Sequence, residues 1–164
     1  MTMDLNCYAL EEEVVELLSE KKMTVTTAES CTGGMIASRL VNVPGASSVF
    51  NEGFITYSNA AKMKYLGVRE ETLTEHGAVS HETVYEMAEG GCRNTGADAC
   101  IAVSGIAGPG GGTDDKPVGL VYIGCSFCGK TVTKECRFTG DRMHVRESAC
   151  LEALLLLKDC ILNS

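Results

Sequence analysis

Apolar positions recur along this chain in two alternating rhythms, one of helices and one of strands. Leu10, Val14, Leu17 and Leu18 share one helical face, Glu11, Glu12 and Glu16 lie off it, and Lys21 and Lys22 close the element. A β-prone run, Met23 to Thr27, leads into a cluster of small residues and then into a second helical pattern through Ile36, Ala37, Leu40 and Val41. Asn42-Val43-Pro44-Gly45 reads as a turn, Phe54 to Tyr57 as a strand, and Asn59 to Leu66 as a short helix that Gly67 ends. Ser80 is placed to cap a helix carrying Val84, Met87 and Ala88, which Asn94-Thr95-Gly96 stops. Ala99 to Val103 is continuously apolar, the pattern of a strand covered on both faces. A glycine-rich loop, Gly105 to Lys116, separates it from another strand, Val118 to Ile123. Thr131 to Phe138 alternates and is more polar, as an edge strand does. The last helix starts near Asp141 and carries Val145, Ala149, Leu154, Leu157 and Ile161. Helices alternating with strands predict an α/β sandwich with helices on both sides of one sheet, and the hairpin-like last two strands make that sheet mixed.

Composition narrows the picture. The chain has 164 residues, one ordinary domain spanning 1–164, enough to bury a core without staples. A formal net charge of -8 argues against a broad nucleic-acid-binding face, which needs clustered Lys and Arg, but leaves room for a small anion held by a few local cations. No apolar run reaches transmembrane length, so no membrane partner is expected. Met1 to Glu13 has no basic region ahead of an apolar core, so it does not read as a signal peptide, and a cytoplasmic location is expected. In that compartment the nine cysteines read as buried thiols. Cys125 and Cys128 form the lone C-x-x-C, with no second pair or nearby His to complete a zinc site, so neither a metal nor a cofactor is expected.

Four constellations could carry chemistry. Glu29-Ser30-Cys31-Thr32-Gly33-Gly34 sits between a strand and a helix, where Ser30 could act as a nucleophile with backbone N–H groups of Thr32, Gly33 or Gly34 holding an oxyanion. The same residues could simply cap the helix, and Cys31 is a rival nucleophile because a helix N-terminus lowers thiol pKa. Tyr57-Ser58-Asn59-Ala60-Ala61-Lys62 places a lysine just past a strand end. Lys62 is either a solvated cation or, if desolvated, a general base, with Tyr57 as a proton relay or a core cap. Lys64, two residues on, poses the same choice. Ser104-Gly105-Ile106-Ala107-Gly108-Pro109-Gly110-Gly111-Gly112 follows a buried strand and can bring backbone N–H groups to an anion. It is neither a Walker loop nor a dinucleotide fingerprint. Arg142 and Arg146 are four apart on a helix and could grip a phosphate, or form a surface ladder with Glu135, Asp141 or Glu147.

Taken together, in order and over nearly the whole chain, these motifs resemble the CinA C-terminal domain family, along with His76-Gly77-Ala78-Val79-Ser80 and Lys116-Pro117-Val118-Gly119. The resemblance implies a three-layer α/β/α fold with a mixed, mostly parallel central sheet. It implies a metal-independent amidohydrolase that converts nicotinamide mononucleotide to nicotinate mononucleotide and ammonia in pyridine nucleotide salvage. It maps the nucleophile onto Ser30 and the lysine base onto Lys62, with Tyr57 close by. Thr32, Gly33 and Gly34 would meet the oxyanion, and Ser104, Gly105, Gly108, Gly111, Gly112, Arg142 and Arg146 would hold the ribose phosphate. Many members carry an additional N-terminal domain resembling molybdopterin-binding proteins. These residues do not include one, so the pyrophosphatase activity linked to it is expected to be absent. Family habit implies a homodimer. The competing readings are a non-catalytic nucleotide-binding module linked to competence or DNA damage, and a Ser or Cys amidase acting on another small amide.

Overall fold

The structure, a computed structural model, describes the backbone of residues 5–164 and side chains from Leu10 onward. The first four residues of the Met1–Glu13 segment and the Cys7 side chain lie outside the described residues. Helices α1 (Leu5–Lys21), α2 (Met35–Val41), α3 (Asn59–Leu66), α4 (Glu70–His76), α5 (His81–Thr95) and α6 (Arg142–Leu162) surround strands β1 (Val25–Glu29), β2 (Phe54–Ile55), β3 (Ala99–Gly105), β4 (Leu120–Phe127) and β5 (Lys130–Arg137). The strands form one sheet in the order β2-β1-β3-β4-β5. The two ladders of the β2-β1-β3 half are parallel, and the two that add β4 and β5 are antiparallel. The sheet is therefore mixed, helices cover both faces, and the expected three layers are present.

The layers follow from strand periodicity. On β3, Ile101 and Val103 point into a core built with α1, α2 and α6, while Cys100 and Ala102 point into a second core with α3 and α5. The continuous apolar run is thus buried on both sides. β5 is one edge of the sheet, and its polar positions face solvent. Two features were not foreseen. A 3-10 turn covers Ala46–Ser48, and α4 fills the stretch after Gly67. The sequence of α4, with Leu73 as its lone large apolar residue, has no helical stripe to announce it. Arg69 and Thr72 tie it instead to Glu86 of α5.

Glycine at 90, mid-helix in α5, costs about 1 kcal/mol in helix propensity, yet a Cβ there would lie 1.8 Å from the Leu66 carbonyl oxygen. The bare backbone lets α3 press against α5. Ser58 caps α3 by accepting the Ala61 N–H at 3.1 Å, and Gly67 ends it in the left-handed region at φ 68°. Lys62 is thereby pinned on a helix packed against α5.

The chain leaves β1 through α2 on one face and returns to β3 through α3, α4 and α5 on the other. The crevice at the carboxyl ends of β1 and β3 is the switch point where open α/β sheets bind ligands. Both the serine cluster and the glycine-rich loop emerge there.

Candidate active site

Ser30 extends β1 by one position. Its N–H donates to the Val103 carbonyl at 2.9 Å, and its side chain keeps the parity of Ala28, on the α3 and α5 side of the sheet. It is 8% exposed. Lys62 reaches it from α3. Its Nζ lies 3.0 Å from Ser30 Oγ and 2.7 Å from the Thr56 carbonyl oxygen, and the residue is 1% exposed. No carboxylate among the described residues pairs with that ammonium. Burial accordingly lowers its pKa from the ordinary 10.5 to about 8. Lys64 points outward instead, over the Tyr65 ring.

The lowered value makes the neutral form accessible near physiological pH, and that form can accept the Ser30 proton while still donating to Thr56. Cys31, next in the chain, is held in the opposite state. Burial raises its thiol from 9.0 to about 11, although its own backbone N–H, Arg146 and Lys62 all pull the value down. Near neutral pH it is a thiol, and its influence pulls the Lys62 value back up only in part against burial. Of the two side chains, Ser30 is the one in hydrogen-bond contact with the lysine.

The turn between β1 and α2 is braced from both sides. Glu29, fully buried, accepts the Ile36 N–H at 2.9 Å and the Ala37 N–H at 3.1 Å, so its carboxylate closes the start of α2. Arg146 donates from Nε to the Cys31 carbonyl at 2.9 Å and from Nη2 to the Thr32 carbonyl at 3.1 Å. Gly33 and Gly34 take φ values of 57° and 100°, where a side chain would be strained, and the Gly33 N–H donates to the Ser30 carbonyl at 3.1 Å. These contacts depart from what the sequence suggests. Arg146 clamps the nucleophile turn from behind and does not line the cavity. The Gly33 amide is occupied within the turn, and Thr32 and Gly34 do not face the cavity either. Glu29 was not singled out as a functional residue. Its acidic side chain just before a helix start is the signal that could have found it.

The cavity over Ser30 and Lys62 has a volume of about 270 Å³, slightly below the range of about 300–1,000 Å³ common for ligand pockets. Its walls are Cys31, Tyr57, Ala78, Val79, the segment Ser104 to Gly108, Gly110, Gly111 and Arg142. Gly112 lies outside it, against the backbone of Val118. Ala78 and Val79, part of the motif read at 76–80 but not singled out there, supply an apolar wall. The Tyr57 ring is largely exposed, and its Oη accepts from Arg142 Nη2 at 3.1 Å, while Arg142 Nη1 donates to the Gly108 carbonyl at 2.7 Å. Tyr57 thus leans on Arg142 and not on Lys62. Lys62 and Arg142 are the ionised side chains of the lining, both cationic, so the cavity favours an anion. A larger concavity of about 520 Å³, lined by Arg69, His81, Tyr85 and Glu89 among others, lies apart from Ser30 and contains no such dyad.

Residues 7–161 match the sequence profile of the CinA C-terminal domain. The chain belongs to the CinA C-terminal domain family. This CinA domain is 52% identical over 154 residues to a CinA-like protein of Kosmotoga olearia, covering 94% of this chain and 37% of that protein. It is 54% identical over 154 residues to a Caldicellulosiruptor bescii protein described as competence-damage inducible, again covering 94% of this chain but 38% of the relative. The chain therefore spans little more than a third of these relatives. Among solved structures, it is similar to the competence/damage inducible protein CihA of Agrobacterium tumefaciens, with a TM-score of 0.93, 39% identity and 98% and 99% of the two chains covered. A CinA superfamily protein of Klebsiella pneumoniae superposes equally well, with a TM-score of 0.93, 39% identity and coverage of 97% and 99%. No helix among the described residues is long and apolar enough to cross a membrane.

Proposed function

We propose that this CinA domain is a Ser/Lys amidohydrolase that hydrolyses the carboxamide of nicotinamide mononucleotide. The observation that carries the reading is the 3.0 Å contact between Ser30 Oγ and the buried Lys62 Nζ. Lys62 takes the Ser30 proton as Oγ bonds to the carboxamide carbon. The protonated lysine then gives that proton to the departing nitrogen, the C–N bond breaks, and ammonia leaves. Water, with Lys62 again as base, hydrolyses the acyl-enzyme to nicotinate mononucleotide and restores Ser30. The lysine supplies the base, so the reaction runs without a metal. Arg142 at the mouth, with the amides of Gly110 and Gly111, is suited to the phosphate, and the Ala78 and Val79 wall to the pyridine ring. The mononucleotide itself is inferred from the resemblance of the motifs, and the cationic cavity agrees with it.

The test is ammonia release from nicotinamide mononucleotide in the presence of a chelator. Release by the wild type and by Cys31→Ala, lost in Ser30→Ala, is the expected result. A folded wild type that binds the mononucleotide without releasing ammonia would instead identify a binding module, and release from other small amides alone would identify a different amidase.

A further inference from the structure

Ser104 lies beside the nucleophile, with an unused hydroxyl. Glu29 pairs with Val103 in the parallel β1–β3 ladder, so Ser30 and Ser104 occupy the next register position, one strand spacing of ~4.8 Å apart. Their parity is that of Ala28 and Ala102, which both pack on the α3 and α5 side. Ser104 is 1% exposed and faces the cavity that contains Ser30 and Lys62. Among the described residues its Oγ has no hydrogen-bond partner. Its hydroxyl is open to the cavity, where a partner arriving with the substrate can meet it.

Five amides around the nucleophile are already engaged. The Ser30 N–H donates to Val103, the Gly33 N–H to Ser30, the Met35 N–H to Thr32, and the Ile36 and Ala37 N–H groups to Glu29. Across the cavity, the Ile106 N–H donates to Leu120. An acyl-transfer site needs donors where the carbonyl oxygen gains charge, and the remaining amides of the turn at Thr32 and Gly34 belong to residues outside the cavity lining.

We propose that Ser104 is a catalytic residue whose Oγ–H donates to the oxygen of the scissile carboxamide as it becomes an oxyanion. This rests on the Ser/Lys hydrolase reading and gives Ser104 a place at the reacting carbon, not at the ribose phosphate. As Ser30 Oγ bonds to the carbon, the carbonyl electron pair moves to its oxygen, and the Ser104 hydrogen bond strengthens without transfer of its proton. When the carbonyl reforms, the C–N bond breaks and Lys62 protonates the nitrogen, leaving Ser104 unchanged. Lys62 Nζ touches Ser30 and not Ser104, which separates the nucleophile from the donor.

The experiment compares wild type, Ser104→Ala and Ser104→Thr in two assays. The first is steady-state ammonia release from nicotinamide mononucleotide. The second is the rate at which a small fluorophosphonate modifies Ser30, followed by intact mass; its phosphoryl oxygen occupies the same position with no nucleotide involved. Ser104→Ala is expected to lower kcat about 10²–10³-fold with KM changed less than about threefold, to slow labelling comparably, and to keep the wild-type unfolding midpoint. Ser104→Thr is expected to regain most of both rates. Wild-type kcat and labelling in Ser104→Ala would overturn the assignment, as would a rise in KM at constant kcat. A wild type labelled at Ser30 in a Ser104-dependent way, yet inactive on the mononucleotide, would overturn the substrate and uphold Ser104. A wild type neither labelled nor active would overturn both.

Discussion

Replacing Lys62 with methionine separates the cost of the buried ammonium from its use. The drop in its pKa from 10.5 to about 8 is worth about 3 kcal/mol of stability near pH 7. The sign follows from proton counting. Below about pH 8 the folded and unfolded chains both hold the lysine proton, and the full penalty is present. Between about 8 and 10.5 the folded chain has released it while the unfolded chain has not, so wild-type stability rises with pH across that window. Lys62→Met removes the charge and leaves the Thr56 carbonyl without a donor, a pH-independent loss of about 1–3 kcal/mol. Measured against wild type by urea unfolding, the variant is therefore expected to lose about 2–3 kcal/mol of relative stability between about pH 7 and about pH 10. Its activity is expected to be absent throughout. A stability difference that stays constant across this interval would refute the argument, because Lys62 would then have an ordinary pKa and no standing as a neutral base.

The same titration sets the activity profile: kcat/KM is expected to rise about tenfold per pH unit below about pH 8 and to level above it, and a flat profile between pH 6 and 8 would exclude Lys62 as the group that must lose its proton. Arg142→Ala is expected to raise KM for the mononucleotide about 10–100-fold with kcat changed little, whereas Arg146→Ala, which frees the carbonyls of Cys31 and Thr32, is expected to lower kcat; steady-state kinetics separates the two. Glu29→Ala leaves the Ile36 and Ala37 amides without their acceptor and is expected to cost about 1–3 kcal/mol in chemical denaturation. Gly90→Ala drives a methyl into the Leu66 carbonyl and is expected to cost about 1–3 kcal/mol, with activity falling as α3 shifts Lys62 away from Ser30.

Much of the arrangement is legible in the sequence because it is local. The small-residue cluster between β1 and α2 marks the nucleophile turn, and the Ser58 cap and Gly67 stop bound α3 at its observed limits, which fixes where Lys62 lies. Local reading stops where partners are distant. Arg146 was grouped with Arg142 because they share a helix face, yet its acceptors are the carbonyls of Cys31 and Thr32, more than a hundred residues away. The strand read as Phe54 to Tyr57 pairs only at Phe54 and Ile55, because the Thr56 carbonyl turns to Lys62. The first strand begins and ends two residues later than its β-prone run, extended by Ala28 and Glu29 through pairing with β3. Propensity alone cannot register such pairing.

Helix α6 has a consequence beyond its packing. It buries Val145, Ala149, Leu154, Leu157 and Ile161 and also carries Arg142 at the cavity mouth and Arg146 behind the nucleophile. A transient undocking of the carboxyl-terminal helix would remove the anion-holding cation and release the turn in one event. Binding of an anion to Arg142 would in return hold the helix down. Amide hydrogen exchange along α6 should slow when the cavity is filled, with protection reaching residues far from the ligand, because the element that senses the substrate is also the one that seals the core.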